Sequence, residues 1–123
     1  MDDTIRIGSI SLDCDDPAAL GAFWASLLDG EVAFSSDNFV AVRTDVVWLS
    51  AVRVDNYRAP TWPDDDVAKQ VHLDLAVKDL GAATVRAERL GARKHEVQPQ
   101  PDRWIVMSDP AGHPFCLSTQ IPD

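Results

Sequence analysis

Apolar and polar residues alternate strictly near the start of the chain and then change to a helical period. In the stretch 5–14, IRIGSISLDC, the alternation predicts a half-buried strand. Its polar face is formed by three side chains, Ser9, Ser11 and Asp13. The stretch that follows, DDPAALGAFWASLLDG, has apolar residues three and four positions apart and predicts an amphipathic helix. Asp16 suits the N-cap of this helix, Pro17 its first turn and Gly30 its C-terminal stop.

The same succession of elements returns in the second half of the chain. Three β-prone runs, EVAFSS, FVAVRT and VVWLSAVRV, complete the first half, and the polar, proline-containing stretch 55–70 predicts a surface connector. VHLDLAV then alternates, and KDLGAATVRAERLG predicts a second helix between Asp79 as N-cap and Gly91 as stop. Three further strands are predicted in ARKHEV, RWIVMS and HPFCLST, with a turn of Pro and Gly between the last two.

A shift of 63 positions superimposes the two halves. Ser9 then falls on His72, and strand, cap, helix and stop recur in the same order. The pattern therefore predicts an α+β fold built from two βαβββ modules, 1–54 and 71–123, joined by the connector 55–70. The length of 123 residues favours a single domain.

Charge and composition narrow the class of partner. The chain has 11 basic and 20 acidic residues, a net charge of −9, so nucleic acid is not an expected partner. Solubility is the main expected effect of this charge, and a basic small molecule could also be attracted. No apolar run approaches the ~20 residues of a membrane span, and the stretch MDDTIRIGS lacks the features of a signal peptide, so no membrane partner is expected. Cys14 and Cys116 are expected as reduced thiols in a cytoplasmic protein.

Three stretches of the chain are informative about its family: DDPAALGAFWASLLDGEV, VHLDLAVKDLGAATVRAERLGA and WIVMSDPAGHPFCL. They resemble the vicinal oxygen chelate superfamily, which includes glyoxalase I, extradiol dioxygenases, fosfomycin-resistance enzymes and bleomycin-resistance proteins. The chain is most similar to the small bacterial glyoxalase-like domain proteins of that superfamily. The resemblance implies a curled, eight-stranded mixed sheet around an open cleft, with the modules paired within one chain or exchanged in a homodimer.

The resemblance also implies where a metal would be held, and this chain departs from most of those positions. His72 stands at the first-strand histidine of the second module, but its counterpart in the first module is Ser9, a poor ligand when neutral. Cys116 stands in place of the late-strand glutamate, and VVWLSAVRV offers no Glu, His or Asp. The usual metal centre and a cofactor are therefore not expected. A divalent metal held by His72 and Cys116 with Asp13 or Asp74 is the weaker alternative.

Three interpretations of His72 remain open. It shares a strand face with Asp74, and it could be an idle residue hydrogen-bonded to Asp13 or Asp74, a ligand-binding residue, or a general acid–base catalyst working with Asp74. Histidine side chains titrate near pH 6.5, which suits proton transfer. Two residues span about 7 Å along a strand, so a direct partner for His72 is expected from across the cleft rather than from Asp74.

The other candidate ligand-binding residues are polar side chains and tryptophans that face the predicted cleft. They are Ser9, Ser11, Asp13, Trp48, Trp62, Trp104, Cys116 and Ser118. Trp62 lies in the connector, where with Tyr57 it could form a lid. Trp24 and Cys14 are expected in the core, His95 in an exposed edge run, and His113 in a structural role within a turn.

Two functions from different classes fit these features. The first is a protein that binds a small organic molecule in the cleft without catalysis, as the drug-sequestering members of the superfamily do. The second is an isomerase, lyase or cyclase in which His72 and Asp74 move protons, or, as a weaker version, a metal-dependent lyase or dioxygenase. The departures at the metal positions favour binding.

Overall fold

The computed structural model describes residues 2–61 and 66–122, which form two compact units, Met1–Tyr57 and Arg58–Asp123. The first unit contains β1 (Ser9–Cys14), α1 (Pro17–Leu27), β2 (Glu31–Ser35), β3 (Phe39–Arg43) and β4 (Trp48–Arg53). The second contains β5 (Leu73–Ala76), α2 (Leu80–Leu90), β6 (Arg93–Lys94), β7 (Trp104–Ser108) and β8 (Pro114–Ser118).

Both units have the same topology. The strand order is β1-β4-β3-β2 in the first sheet and β5-β8-β7-β6 in the second, and in each sheet the first strand lies parallel to the last while the other pairs are antiparallel. The predicted α+β fold of two βαβββ modules is therefore confirmed, and the eight strands form two four-stranded sheets. The boundary between the units falls inside the predicted connector. Among the described residues, neither helix is long and apolar enough to cross a bilayer.

Each sheet carries its helix on one face, and the core lies between them. In the first unit the largest fully buried side chains are Leu20 and Trp24 of α1 and Val40 and Val42 of β3. In the second unit they belong to the sheet and are Met107, Phe115 and Leu117. Strand alternation sends the intervening residues to the opposite face. The polar side chains of β1, β5 and β8 lie on that face.

The first helix begins where the sequence predicts, but the residue that ends it in the left-handed conformation is not a glycine. The Asp16 carboxylate accepts the N–H of Ala19 at 3.1 Å, as an N-cap should. At the other end Asp29 adopts the left-handed conformation with φ 53°, and the N–H of Gly30 reaches the Ala25 carbonyl at 2.9 Å. Gly30 follows the end of the helix as predicted, but the residue with the left-handed conformation is Asp29. Gly30 has no room for a Cβ because the backbone carbonyl of Arg43 lies against it.

The second helix has the predicted ends. The Asp79 carboxylate accepts the N–H of Ala82 at 3.0 Å, and Gly91 takes up φ 119° after the last turn. Its buried residues are Thr84 and Ala87.

Two predicted strands lose four residues each. β1 begins at Ser9 rather than at residue 5, and Ile5 and Ile7 are 94% and 74% exposed. The reason is that the partner strand β4 starts at Trp48, opposite Ser9, and the residues just before Trp48 form a turn. The run ARKHEV keeps only Arg93–Lys94 as strand, because the chain leaves the ladder after the N–H of His95 has bonded to the Val106 carbonyl at 3.1 Å.

Candidate functional site

The candidate site lies on the helix-free face of the second sheet. Phe115 and Leu117 of β8 are buried on the helix side, so Cys116 and Ser118 point the other way. The parallel register of β5 and β8 places Asp74 directly beside Cys116. These residues therefore share one surface, as the alternation predicts.

His72 reaches this surface from just before β5 and contacts Asp74. Its Nε2 lies 3.3 Å from Oδ1 of Asp74, with the two side chains 37% and 54% exposed. A direct partner for His72 was expected from across the cleft rather than from Asp74, and the contact with Asp74 contradicts this expectation. His72 lies outside the regular strand, which begins at Leu73, so the strand spacing does not apply to it and its ring can reach Asp74.

The resulting cluster joins an imidazole, a carboxylate and a thiol. One donor atom from each of His72, Asp74 and Cys116 lies within 4.8 Å of the others. Burial raises the pKa of the Cys116 thiol, and the negative charge of Asp74 and a hydrogen bond to it act in the same direction, while the charge of Lys69 opposes them. Cys116 is therefore a protonated thiol at neutral pH when no other group is bound.

A cavity of about 470 Å³ opens above this cluster. Its apolar wall is formed by Pro99, Trp104, Val106, Pro114 and Ile121. Its polar groups are Lys69, His72, Asp74, Cys116, Ser118 and Gln120. A mainly apolar concavity with a few convergent polar groups is the usual form of a small-molecule site, and its volume lies within the range of about 300–1,000 Å³ for such sites.

One side chain fixes the loop that supplies part of the apolar wall. The Gln98 amide accepts the N–H of Val106 at 2.8 Å and donates to the carbonyls of Val106 and His95 at 2.9 and 2.8 Å. The side chain thus takes the place of a backbone strand beside β7 after β6 has ended. Pro99, the next residue, is held at the rim of the cavity by this arrangement.

The predicted ligand-binding residues of the first half lie on the first sheet. Ser9 and Ser11 are exposed on the helix-free face, and Asp13 follows them on the same face. Trp48 lies opposite Ser9 in the pairing of β1 with β4. It packs under the Arg43 guanidinium, whose central carbon is 5.3 Å from the ring centroid.

Ser50 was not among the residues predicted from the sequence, and its hydroxyl lies 3.2 Å from that of Ser9. Ser50 is paired with Ser11 as Cys116 is paired with Asp74, so it is the first-unit counterpart of Cys116. Three cavity residues were not predicted either, Lys69, Pro99 and Gln120, because they lie outside the strands and therefore outside the alternation from which the site was predicted. Trp62 lies outside the described residues.

The other two histidines, His95 and His113, and Cys14 do not line the cavity and contribute to hydrogen bonding and packing elsewhere. His95 was expected to be exposed, which is wrong, because it is half-buried and its Nε2 lies 2.5 Å from the Ser108 hydroxyl. Its pKa is lowered by burial and by the charges of Arg93 and Lys69. The His113 N–H bonds to the buried Asp109 carboxylate at 2.9 Å within the predicted turn, and Cys14 is fully buried as expected.

The glyoxalase-like domain model matches residues 9–118. The chain therefore belongs to the glyoxalase-like domain family. A comparison with proteins of curated function finds no significant match.

Solved structures of the same fold include proteins with different ligands. The fosfomycin resistance protein FosX from Mesorhizobium loti has 15% identity and a TM-score of 0.69, with 98% of this chain and 94% of that chain covered. The bleomycin-binding protein from Streptomyces verticillus, complexed with copper(II)-bleomycin, has 20% identity and a TM-score of 0.61, with 96% and 98% covered. A mutant of FosX from Listeria monocytogenes, complexed with Mn(II) and 1S,2S-dihydroxypropylphosphonic acid, has 18% identity and a TM-score of 0.69, with 98% and 93% covered. At these identities the likeness shows the fold alone.

At the positions where the resemblance places metal ligands, the described residues do not suit manganese. Mn²⁺ prefers carboxylate, carbonyl and water oxygens in octahedral geometry. Here the second unit offers one nitrogen, one carboxylate and one sulfur, in His72, Asp74 and Cys116. The corresponding first-unit positions hold Ser9 and Ser50, whose neutral hydroxyls are weak donors.

Proposed function

We propose that this protein binds a small organic molecule in the cavity of its second unit, without the metal centre usual in its superfamily. The observation that carries the proposal is the cavity of about 470 Å³, in which an apolar wall meets a compact set of polar groups. An aromatic or heteroaromatic ring would lie against Trp104 and the prolines. Its polar substituents would be bound by side chains such as Ser118, Gln120 and His72.

The protonation of the Cys116 thiol supports binding over covalent catalysis. Cys116 is a protonated thiol at neutral pH, since burial and Asp74 raise its pKa, and a nucleophilic cysteine needs a lowered pKa instead. As a hydrogen-bonding group on the cavity floor it suits recognition. The solved structures of this fold include one protein whose stated function is binding, the bleomycin-binding protein.

A second candidate function is acid–base catalysis, an isomerase, lyase or cyclase reaction, with His72 as the proton carrier. The contact of 3.3 Å between His72 Nε2 and Asp74 Oδ1 favours it, because a carboxylate at that distance orients an imidazole. In this version His72 would accept a proton from the bound molecule and return it at a neighbouring atom, while Asp74 acts as a positioning residue.

The experiment that tests binding uses saturation-transfer NMR on the chelator-treated protein. The first probes are fosfomycin and metal-free bleomycin, followed by a panel of small aromatic acids and amines. We expect binding that Trp104→Ala abolishes and that Trp48→Ala, the matched change in the first unit, leaves intact. Binding that survives Trp104→Ala, or no binding across the panel, would contradict the proposal.

The same probes separate the two candidate functions. If the protein only binds its ligand, His72→Ala changes the affinity by no more than a few fold. If the protein is an enzyme, His72→Ala abolishes turnover of the bound molecule while the circular dichroism spectrum stays that of the wild type. Exchange of a carbon-bound proton of the ligand with solvent deuterium reports the proton transfer directly.

Two further features of the protein belong to this proposal. We propose a homodimer, which the resemblance to the superfamily implies, and a cytoplasmic location, which the two free thiols Cys14 and Cys116 favour. Sedimentation equilibrium tests the first, since a single species of 13.5 kDa at micromolar concentration would contradict it.

A further inference from the structure

We propose that His72, Asp74 and Cys116 form a cation site carried by the second unit alone and selective for Zn²⁺ over Mn²⁺. The donors come from β5, its N-terminal flank and β8, and they already lie together. This site differs from a centre shared by two modules because all three of its donors belong to one unit. It does not depend on which organic molecule the cavity takes.

The spacing of the first two donors suits a tetrahedral ion. Zinc binds imidazole nitrogen and carboxylate oxygen at about 2.0–2.1 Å, which places two such donors about 3.3 Å apart in a tetrahedral complex. His72 Nε2 and Asp74 Oδ1 are 3.3 Å apart. Sulfur binds at about 2.3 Å, so the Cys116 thiol, which lies within 4.8 Å of both donors, would need to approach by at most about 1.3 Å. The partly exposed side chains of His72 and Asp74 have the freedom to allow it.

The chemistry of the donors sets the selectivity. A thiolate is a soft ligand that suits Zn²⁺ and disfavours Mn²⁺, and imidazole suits zinc as well. One thiolate and one carboxylate balance the charge of a divalent ion. On binding, the Cys116 S–H bond is replaced by a sulfur–metal bond and the proton passes to solvent.

Three protein donors leave one position of a tetrahedral ion open, which is the arrangement of catalytic rather than structural zinc sites. All three residues line the cavity of about 470 Å³. A molecule in that cavity could therefore supply the fourth donor through an oxygen or nitrogen atom.

The test uses metal ions alone, with tag-free protein that has been treated with chelator. Co²⁺ serves as the spectroscopic probe, because a cysteine thiolate bound to Co²⁺ gives a sulfur-to-metal charge-transfer absorption in the near ultraviolet. We expect this band in the wild type, its loss in Cys116→Ser, and its displacement by one equivalent of Zn²⁺ but not by Mn²⁺. Cys14 is fully buried and does not contribute to it.

Calorimetric titration of Zn²⁺ gives the second readout. We expect His72→Ala, Asp74→Asn and Cys116→Ser each to weaken binding at least as much as loss of an outer-shell partner does, about 10–100-fold. Ser9→Ala and Asp13→Asn should leave the affinity unchanged, which separates this site from a shared centre and from the acidic surface. Circular dichroism verifies that each variant is folded.

The results that would overturn the inference are distinct from failure of the proposed function. Tight binding of Mn²⁺, Zn²⁺ binding that survives Cys116→Ser, or Zn²⁺ binding lost in Ser9→Ala each contradicts it. No binding of Co²⁺ or Zn²⁺ to a folded protein also contradicts it. That last result leaves binding of an organic molecule in the cavity as it was.

Discussion

Asp74 and Cys116 lie side by side across the parallel strands β5 and β8, and this pairing places a carboxylate against a thiol on the floor of the second unit's cavity. The contact has a direct chemical consequence. The charge of Asp74 and its hydrogen bond add to burial in holding the pKa of Cys116 above its ordinary value of 9.0.

Replacing Asp74 by Asn should therefore make Cys116 more reactive. The change removes the negative charge that opposes ionisation of the thiol, so the pKa of Cys116 falls and a larger fraction is thiolate at pH 8. We expect iodoacetamide, in the presence of chelator, to alkylate the variant severalfold faster than the wild type, measured by intact mass. Cys14 is buried and stays unmodified in the folded protein. Asp13→Asn is the control. Equal alkylation rates for the wild type and Asp74→Asn would contradict the conclusion that the charge of Asp74 raises the pKa of Cys116.

Much of the fold could be predicted because the signals that begin and end its helices involve residues close together in sequence. The caps Asp16 and Asp79 and the stop Gly91 depend only on neighbouring residues, and the structure has all three where the pattern places them. Gly30 could not be interpreted correctly, because the contact that requires glycine there comes from the carbonyl of Arg43, distant in sequence. The length of β1 was overestimated for the same reason, because this strand begins only where its partner β4 begins, at the pair Ser9 and Trp48.

The candidate site could be predicted only in part. Alternation identified Asp74, Cys116 and Ser118 because they lie on regular strands. It failed for the contact of His72 with Asp74, which arises just outside a strand, where the direction of a side chain is not set by a period of two. Lys69 and Gln120 reach the cavity from segments without any periodic pattern.

Two glycine substitutions should have opposite effects on stability. At Gly30 a Cβ would collide with the Arg43 carbonyl, so Gly30→Ala should lower the free energy of unfolding by about 1–3 kcal/mol. At Gly81, inside α2, a Cβ would meet only the Asp79 carboxylate at 3.5 Å, an ordinary contact. Gly81→Ala should therefore raise the free energy of unfolding by about 0.5–1 kcal/mol, because alanine loses less backbone entropy in a helix. Urea denaturation measures both changes. If Gly30→Ala leaves the free energy of unfolding unchanged, the backbone of β3 at Arg43 can shift to accommodate the methyl group.

Removing the Gln98 side chain should loosen the edge of the second sheet. Gln98→Ala leaves the buried N–H of Val106 without its acceptor, so we expect a loss of about 1–3 kcal/mol in the free energy of unfolding. Gln100→Ala, two residues along the same loop and exposed, is the matched control and should change stability by less than about 0.5 kcal/mol. Hydrogen exchange locates the effect, since the Val106 amide should lose protection while the amides of the first unit keep theirs. Unchanged protection at Val106 would mean that the backbone alone holds this edge.

His95 should make the second unit less stable in mild acid. Burial, together with the charges of Arg93 and Lys69, lowers the pKa of His95 below the value of 6.5 that it has in the unfolded chain. Between those two values the unfolded chain binds a proton that the folded protein does not, so the free energy of unfolding falls as the pH falls. Above about pH 7.5 the residue is neutral in both states and contributes no pH dependence.

The measurement compares urea denaturation of wild type and His95→Gln from pH 5 to pH 8. Since both proteins share every other titrating group, the difference between their unfolding free energies isolates His95, and the wild type should lose stability relative to the variant as the pH drops below 6.5. The NMR titration of the His95 ring protons supplies the folded pKa independently. Arg93→Gln removes one of the charges that lower this pKa, so it should move the titration toward 6.5 and shrink the pH-dependent loss of stability. A difference that stays constant across the whole pH range would show that the environment of His95 does not discriminate between its charged and neutral forms.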